Sequence, residues 1–171
     1  MPGVFAVTIE ILICLCAVWV MLFLSTFMHE FGHAIGYMIS TGDRHWHIRV
    51  GSGKKLLETK KLTVKLMVFD GYFEPAENRI DSKEKLISTL AGGPVVSLAL
   101  VVILLYLRST GVSVNSGIIT SSAIESFINF ALFSNLFIFL SSIIPGYYFY
   151  GEIKGMETDG RKIINAMKGR E

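Results

Sequence analysis

Charge is scarce in this chain, and over long stretches it is missing. Leu86 to Leu107 and Ser126 to Ile144 carry no Asp, Glu, Lys or Arg, and Val4 to Met28 carries one, Glu10. Proline is rare as well, 4 residues in 171, so little interrupts a long helix. Cysteine is limited to Cys14 and Cys16. Two positions apart on one helix, they point to different faces, which excludes a disulfide framework. The chain has no internal repeat, no low-complexity tract and no break in composition that would separate two domains.

What remains is too apolar for an ordinary soluble domain, with 51% hydrophobic residues and a mean hydropathy of +0.53. Each uncharged run is long enough to cross a hydrocarbon core of about 30 Å, which takes roughly 20 helical residues. The expected fold is therefore an α-helical membrane protein, a single three-span core over residues 1–171. The expected transmembrane helices are 4–28, 86–107 and 123–145. The first run lacks a basic segment before it and exceeds the roughly 7–15 apolar residues of a signal peptide, so it is expected to stay as a span.

Basic residues set the expected orientation. Of 16 Lys and Arg, ten lie between Arg44 and Lys85, five follow Pro145, and only Arg108 sits between the second and third runs. The positive-inside bias then makes the first loop and the C-terminus cytoplasmic and the N-terminus extracytoplasmic, in a multi-pass protein of the cell membrane. The net charge of +2, with seven acids interleaved in the first loop, gives no reason to expect nucleic acid as a partner. The lipid bilayer is the expected surrounding.

Between the first two runs the pattern changes period. In "HWHIRV" Trp46, Ile48 and Val50 alternate with His45, His47 and Arg49, as on a half-buried strand. "GSGKK" (51–55) reads as a turn and Leu62 to Phe69 as a second strand, giving a small cytoplasmic β-hairpin region within 44–75. Asp81 and Ser82 are candidate helix starters for the second span. After Pro145 comes a Gly/Tyr-rich connection and a short helix, "RKIINAMKG", within 146–171. "GSGKK" is not a phosphate loop. It lacks the first glycine at the required spacing and has Lys55 where Ser or Thr is needed.

The costly side chains are concentrated in "FMHEFGHAIGYMI" (27–39). His29, Glu30 and His33 spell H-E-x-x-H, which on a helix puts two imidazoles one turn apart on one face beside a carboxylate. Such a pair suits zinc, and the glutamate suits the role of base toward water. Polar groups embedded in an apolar span are expensive, which argues for a function. A catalytic zinc takes a third protein ligand. The extended H-E-x-x-H-x-x-G-x-x-H pattern has Gly36 in place but Ile39 at its last position. His45 and His47 belong to a polar strand face. Asp70 in "FDGYF" and Asp159 in "ETDGRKI" both have the right sidedness, and periodicity does not choose between them.

The order of elements resembles the site-2 protease family of intramembrane zinc metalloproteases. There an H-E-x-x-H helix is followed by a span with an A-G-P element, then by N-x-x-P and a D-G. This chain has His29-Glu30-x-x-His33, "AGGP" (91–94), "SIIP" (142–145) and "TDG" (158–160). The resemblance covers nearly the whole core. It implies one Zn2+ per chain held by His29, His33 and Asp159, with Glu30 activating water. It further implies that Gly92, Gly93 and Pro94 shape the site. The family's asparagine, thought to steady the substrate carbonyl, is Ser142 here, and Asn135, two turns earlier on the same helix face, is the alternative amide. The implied substrate is a transmembrane or membrane-associated protein or a peptide precursor. The rival class is a non-proteolytic zinc-binding membrane interaction or immunity protein.

Overall fold

The computed structural model describes residues 2–75, 77, 79–111 and 121–169. Three helices are long and apolar enough to cross a membrane: α1 (Pro2–Thr41), α2 (Lys83–Ser109) and α3 (Ser121–Ile143). Two strands, β1 (Trp46–Glu58) and β2 (Leu62–Pro75), form an antiparallel hairpin between α1 and α2, and a short helix α4 (Asp159–Lys168) closes the chain. The chain thus has the build of a multi-pass membrane protein. α1 runs unbroken from the first apolar stretch through the H-E-x-x-H motif. Its 40 residues extend roughly 60 Å, twice what one crossing needs.

α1 and α2 cross where neither has a side chain to keep them apart. A Cβ on Gly92 would overlap the Gly32 carbonyl, and one on Gly36 would overlap the Ser88 carbonyl. Small residues at this spacing let two backbones touch, which is how helices associate without a hydrophobic driving force between them. α2 starts at Ser82, whose side chain accepts from the Lys85 N–H, as its sequence suggests.

The hairpin does not stand apart from the helices. It packs along α1, where Trp19, Phe23, Phe27 and Phe31 stack at successive i, i+4 positions with ring centroids 5.8–5.9 Å apart. Ala34, Ile48, Val50 and Val68 form the buried core of this layer. Trp19 Nε1 donates to the Leu66 carbonyl at 2.7 Å and Thr26 Oγ1 to that of Val68 at 3.1 Å, so β2 follows α1 for most of its inner half. Ile48 and Val50 are buried while His47 and Arg49 are only partly so, in keeping with the alternation.

The expected turn at "GSGKK" is not where the hairpin reverses. Residues 51–55 lie inside β1, which bends at Gly51 (φ 89°) and Gly53 (φ 82°), and the reversal falls at 59–61. The bend lets residues 48–50 pair with Gly71–Phe73 on one side and with Leu62–Val64 on the other. β1 is therefore paired on both sides there, whereas among the described residues Gly71–Phe73 pair on one side only.

Candidate metal centre

The close crossing of the two helices brings His29 and His33 of α1 against α2. His33 Nδ1 lies 2.9 Å from the Thr89 carbonyl, an acceptor only, so that nitrogen carries the proton. His29 Nδ1 lies 2.9 Å from the hydroxyl of Ser97, a fully buried residue. Both rings thus turn Nε2 toward one point, and the two Nε2 atoms are 3.3 Å apart. Pro94 lacks the N–H that would bond the Leu90 carbonyl, next along α2 from the Thr89 carbonyl that meets His33. Gly93 lies directly over the pair.

Asp159 reaches the same point from the other end of the chain. Its Oδ2 is 3.4 Å from His29 Nε2 and 3.3 Å from His33 Nε2. The approach is fixed at three places. Thr158 caps α4, accepting from the Arg161 N–H, and its hydroxyl donates to the Ile144 carbonyl at 2.9 Å. Gly160 presses on the Ile143 carbonyl so closely that any Cβ would overlap it. The Gly146 N–H returns to Thr158 Oγ1 at 3.1 Å. Hence the end of α3 and the start of α4 are one rigid corner, and "DG" is required there by packing.

These donors fit zinc. Bonds of about 2.0–2.1 Å at tetrahedral angles separate neighbouring donor atoms by about 3.3–3.4 Å. The three separations here are 3.3, 3.3 and 3.4 Å. A Glu30 carboxylate oxygen is also within 4.8 Å of both imidazole nitrogens. Asp159 makes the tighter set, which leaves Glu30 beside the centre. Glu30 is buried, and among the described residues its carboxylate has no hydrogen-bond partner. Gly71 of β2 sits against it, where a Cβ would come 2.5 Å from Oε1.

Burial is the largest influence on the Asp159 carboxyl and raises it. The adjacent His33 and His29, protonated when no metal is held, outweigh that and keep it well below the usual carboxylate range.

The connection 146–157 roofs the site. Tyr147 bridges to Glu157, and Tyr148 exchanges backbone hydrogen bonds with Met156 and Gly155 at 2.9 and 2.8 Å. Asp70, the other candidate ligand, serves this roof. Asp70-Gly71 lies within β2 and not in a turn, and Asp70 Oδ2 accepts from the Glu152 N–H at 2.9 Å. Gly151, at φ 66°, has Asp70 where a side chain would be. The Glu152 carboxylate meets Lys65 at 2.6 Å and Arg49 at 3.3 Å, and the Lys65 hydrogen bond is the main reason its carboxyl titrates low.

The remaining residues separate. Ser142 is buried on the wall of a small cavity with His29 and Glu30, but its hydroxyl donates to the Phe139 carbonyl at 3.0 Å. Asn135 is buried away from the centre, donating to Ser25 Oγ at 3.1 Å and the Ala131 carbonyl at 2.8 Å. Gly92 serves the helix crossing, Gly93 also lies over the two imidazoles, and Pro94 is buried inside α2. Ser97, Thr89, Gly71 and Tyr148 are parts of the site that motif reading misses. None stands in a recognisable spacing to H-E-x-x-H. A comparison with protein-family models, with curated proteins and with solved structures finds no match.

Proposed function

We propose that the chain is an intramembrane zinc metalloprotease of the kind the site-2 protease resemblance suggests. The observation that carries this reading is the donor triangle of His29, His33 and Asp159 with an unpaired Glu30 carboxylate beside it. Zinc, when held there, supplies Lewis-acid polarisation of a carbonyl and makes water acidic enough to lose a proton near neutral pH. Glu30 accepts that proton and returns it to the nitrogen of the leaving amine. Ser97 and Thr89 keep the imidazoles in the tautomer that presents Nε2.

The substrate is a transmembrane or membrane-associated polypeptide. A helix hides its peptide bonds, so the scissile segment must be extended, and the outer edge of Gly71–Phe73 borders the cavity of about 80 Å³ that also contains Glu30 and His33. Strand addition to that edge is a known way of holding an extended peptide. The basic first loop and tail put the site on the cytoplasmic side.

The covered state of the site favours a second reading, a zinc-binding membrane interaction protein without turnover. His29, Glu30, His33 and Asp159 are each 4–6% exposed beneath the hairpin and the 146–157 connection. Proteomic comparison of membranes holding active protein or the Glu30→Gln form separates the two. Fragments that depend on Glu30 support proteolysis, and identical peptide inventories with zinc retained support the second reading.

A further inference from the structure

An attacked carbonyl needs a hydrogen-bond donor at its oxygen, and the residues of this site are nearly all spoken for. Thr26, Thr89, Ser141 and Ser142 donate to backbone carbonyls at 3.1, 2.9, 3.1 and 3.0 Å. The Asn135 amide is committed outside the cavities. Of the two cavities beside Glu30, Tyr150 lines only the one of about 30 Å³, and Tyr72 and Lys162 border only the one of about 80 Å³.

Tyr148 differs on each count. It lines both that cavity and the smaller one of about 30 Å³, and Glu30 is common to the two walls. Its hydroxyl has no hydrogen-bond partner among the described residues. Its backbone is pinned between Gly155 and Met156, and its ring meets that of Tyr150 at 6.2 Å, so the side chain is held in place. A phenol keeps its proton at neutral pH, so the hydroxyl is a donor.

We propose that Tyr148 is a catalytic residue whose hydroxyl donates to the oxygen of the scissile carbonyl, supplying the donor that Ser142 and Asn135 do not. This rests on the proteolytic reading. Water oxygen bonds to the carbonyl carbon while Glu30 takes one water proton. The C=O π pair moves onto oxygen, where the Tyr148 O–H meets it. The pair then returns, the C–N bond breaks, and Glu30 delivers its proton to the departing nitrogen. The products are a carboxyl group and an amine.

Zinc-loaded wild type, Tyr148→Phe, Tyr150→Phe and Glu30→Gln are assayed in detergent micelles with internally quenched apolar decapeptides. Binding is measured with the same sequences carrying a phosphinate in place of the amide. Loss of one such donor is worth about 100-fold in kcat. Tyr148→Phe is expected to show that loss with KM changed less than about twofold, zinc content unchanged and phosphinate affinity lowered, whereas Tyr150→Phe stays within about twofold throughout. A wild type that cleaves while Tyr148→Phe matches it, or loses only KM, overturns the role alone. A wild type that neither cleaves nor binds the phosphinate overturns the proteolytic reading and the role with it.

Discussion

Gly93 lies against His33 so closely that a Cβ would occupy the position of Nε2, with His29 Nε2 only 2.8 Å away. Its missing side chain makes room for the ligands, whereas at Gly92 a Cβ would meet the backbone of α1. Gly93→Ala should therefore displace the imidazoles while the helices remain crossed. Zinc per purified chain is expected to fall at least about tenfold, the lower end of what disturbing ligand orientation costs. Gly92→Ala should instead loosen the α1–α2 crossing and lower thermal stability. Full zinc occupancy in Gly93→Ala would show that the centre lies elsewhere.

Glu30 and Asp159 are both buried carboxylates at the centre, and their substitutions should separate them. Glu30→Gln is expected to keep zinc near one per chain and to abolish cleavage, because a base is lost and no ligand is. Asp159→Ala, His29→Ala and His33→Ala should each lose both. Metal analysis alongside turnover of a confirmed substrate is the check. Zinc loss in Glu30→Gln with retention in Asp159→Ala would exchange the two roles.

Much of this was legible before any coordinates. The three long apolar runs dictate three long helices, because hydropathy and length act locally. The pairing of His29 with His33 follows from helical periodicity, and the alternation at Trp46–Val50 from that of a strand. The turn at "GSGKK" was not legible. Gly51 and Gly53 permit either a reversal or a bent strand, and the long-range pairing of 48–50 with both ends of β2 decides. Asp70 and Asp159 both precede glycine, yet one glycine makes room for an α3 carbonyl and the other for the Glu30 side chain. Ser97 and Thr89 were invisible because a hydroxyl and a backbone carbonyl in an apolar run carry no pattern.

Sidedness gives an independent test. With the first loop and tail cytoplasmic, single cysteines replacing Lys55 and Asn165 should resist a membrane-impermeant thiol reagent added to intact cells. One replacing Gly3 should react, in a chain lacking Cys14 and Cys16. Labelling at position 55 from outside would invert the protein and move product release to the opposite face.

The roof over the centre is held by one buried carboxylate and one partly exposed one. Asp70 Oδ2 accepts the Glu152 N–H, while Glu152 itself pairs with Lys65 and Arg49. Asp70 is 3% exposed and its other oxygen has no partner among the described residues, so the carboxylate is buried on its side of the contact. Asp70→Ala removes the acceptor of a backbone N–H at a partly buried contact, at a cost of about 1 kcal/mol. That loosens the 146–157 connection but removes no donor from the metal. A single cysteine replacing Phe149 or Met156 should react with thiol reagents several-fold faster in the Asp70→Ala background, with zinc content unchanged. The Glu152 contact has its own pH dependence. Its carboxyl is depressed below 4.5, chiefly by Lys65, so its contribution is complete above that value and is lost as the pH falls through the lowered one. Reactivity of the same cysteines, corrected for thiolate fraction, should rise on acidification in the wild type, and the rise should vanish when Glu152 is replaced by Gln. Zinc loss in Asp70→Ala would contradict this division, because it would make the residue a ligand and not a latch.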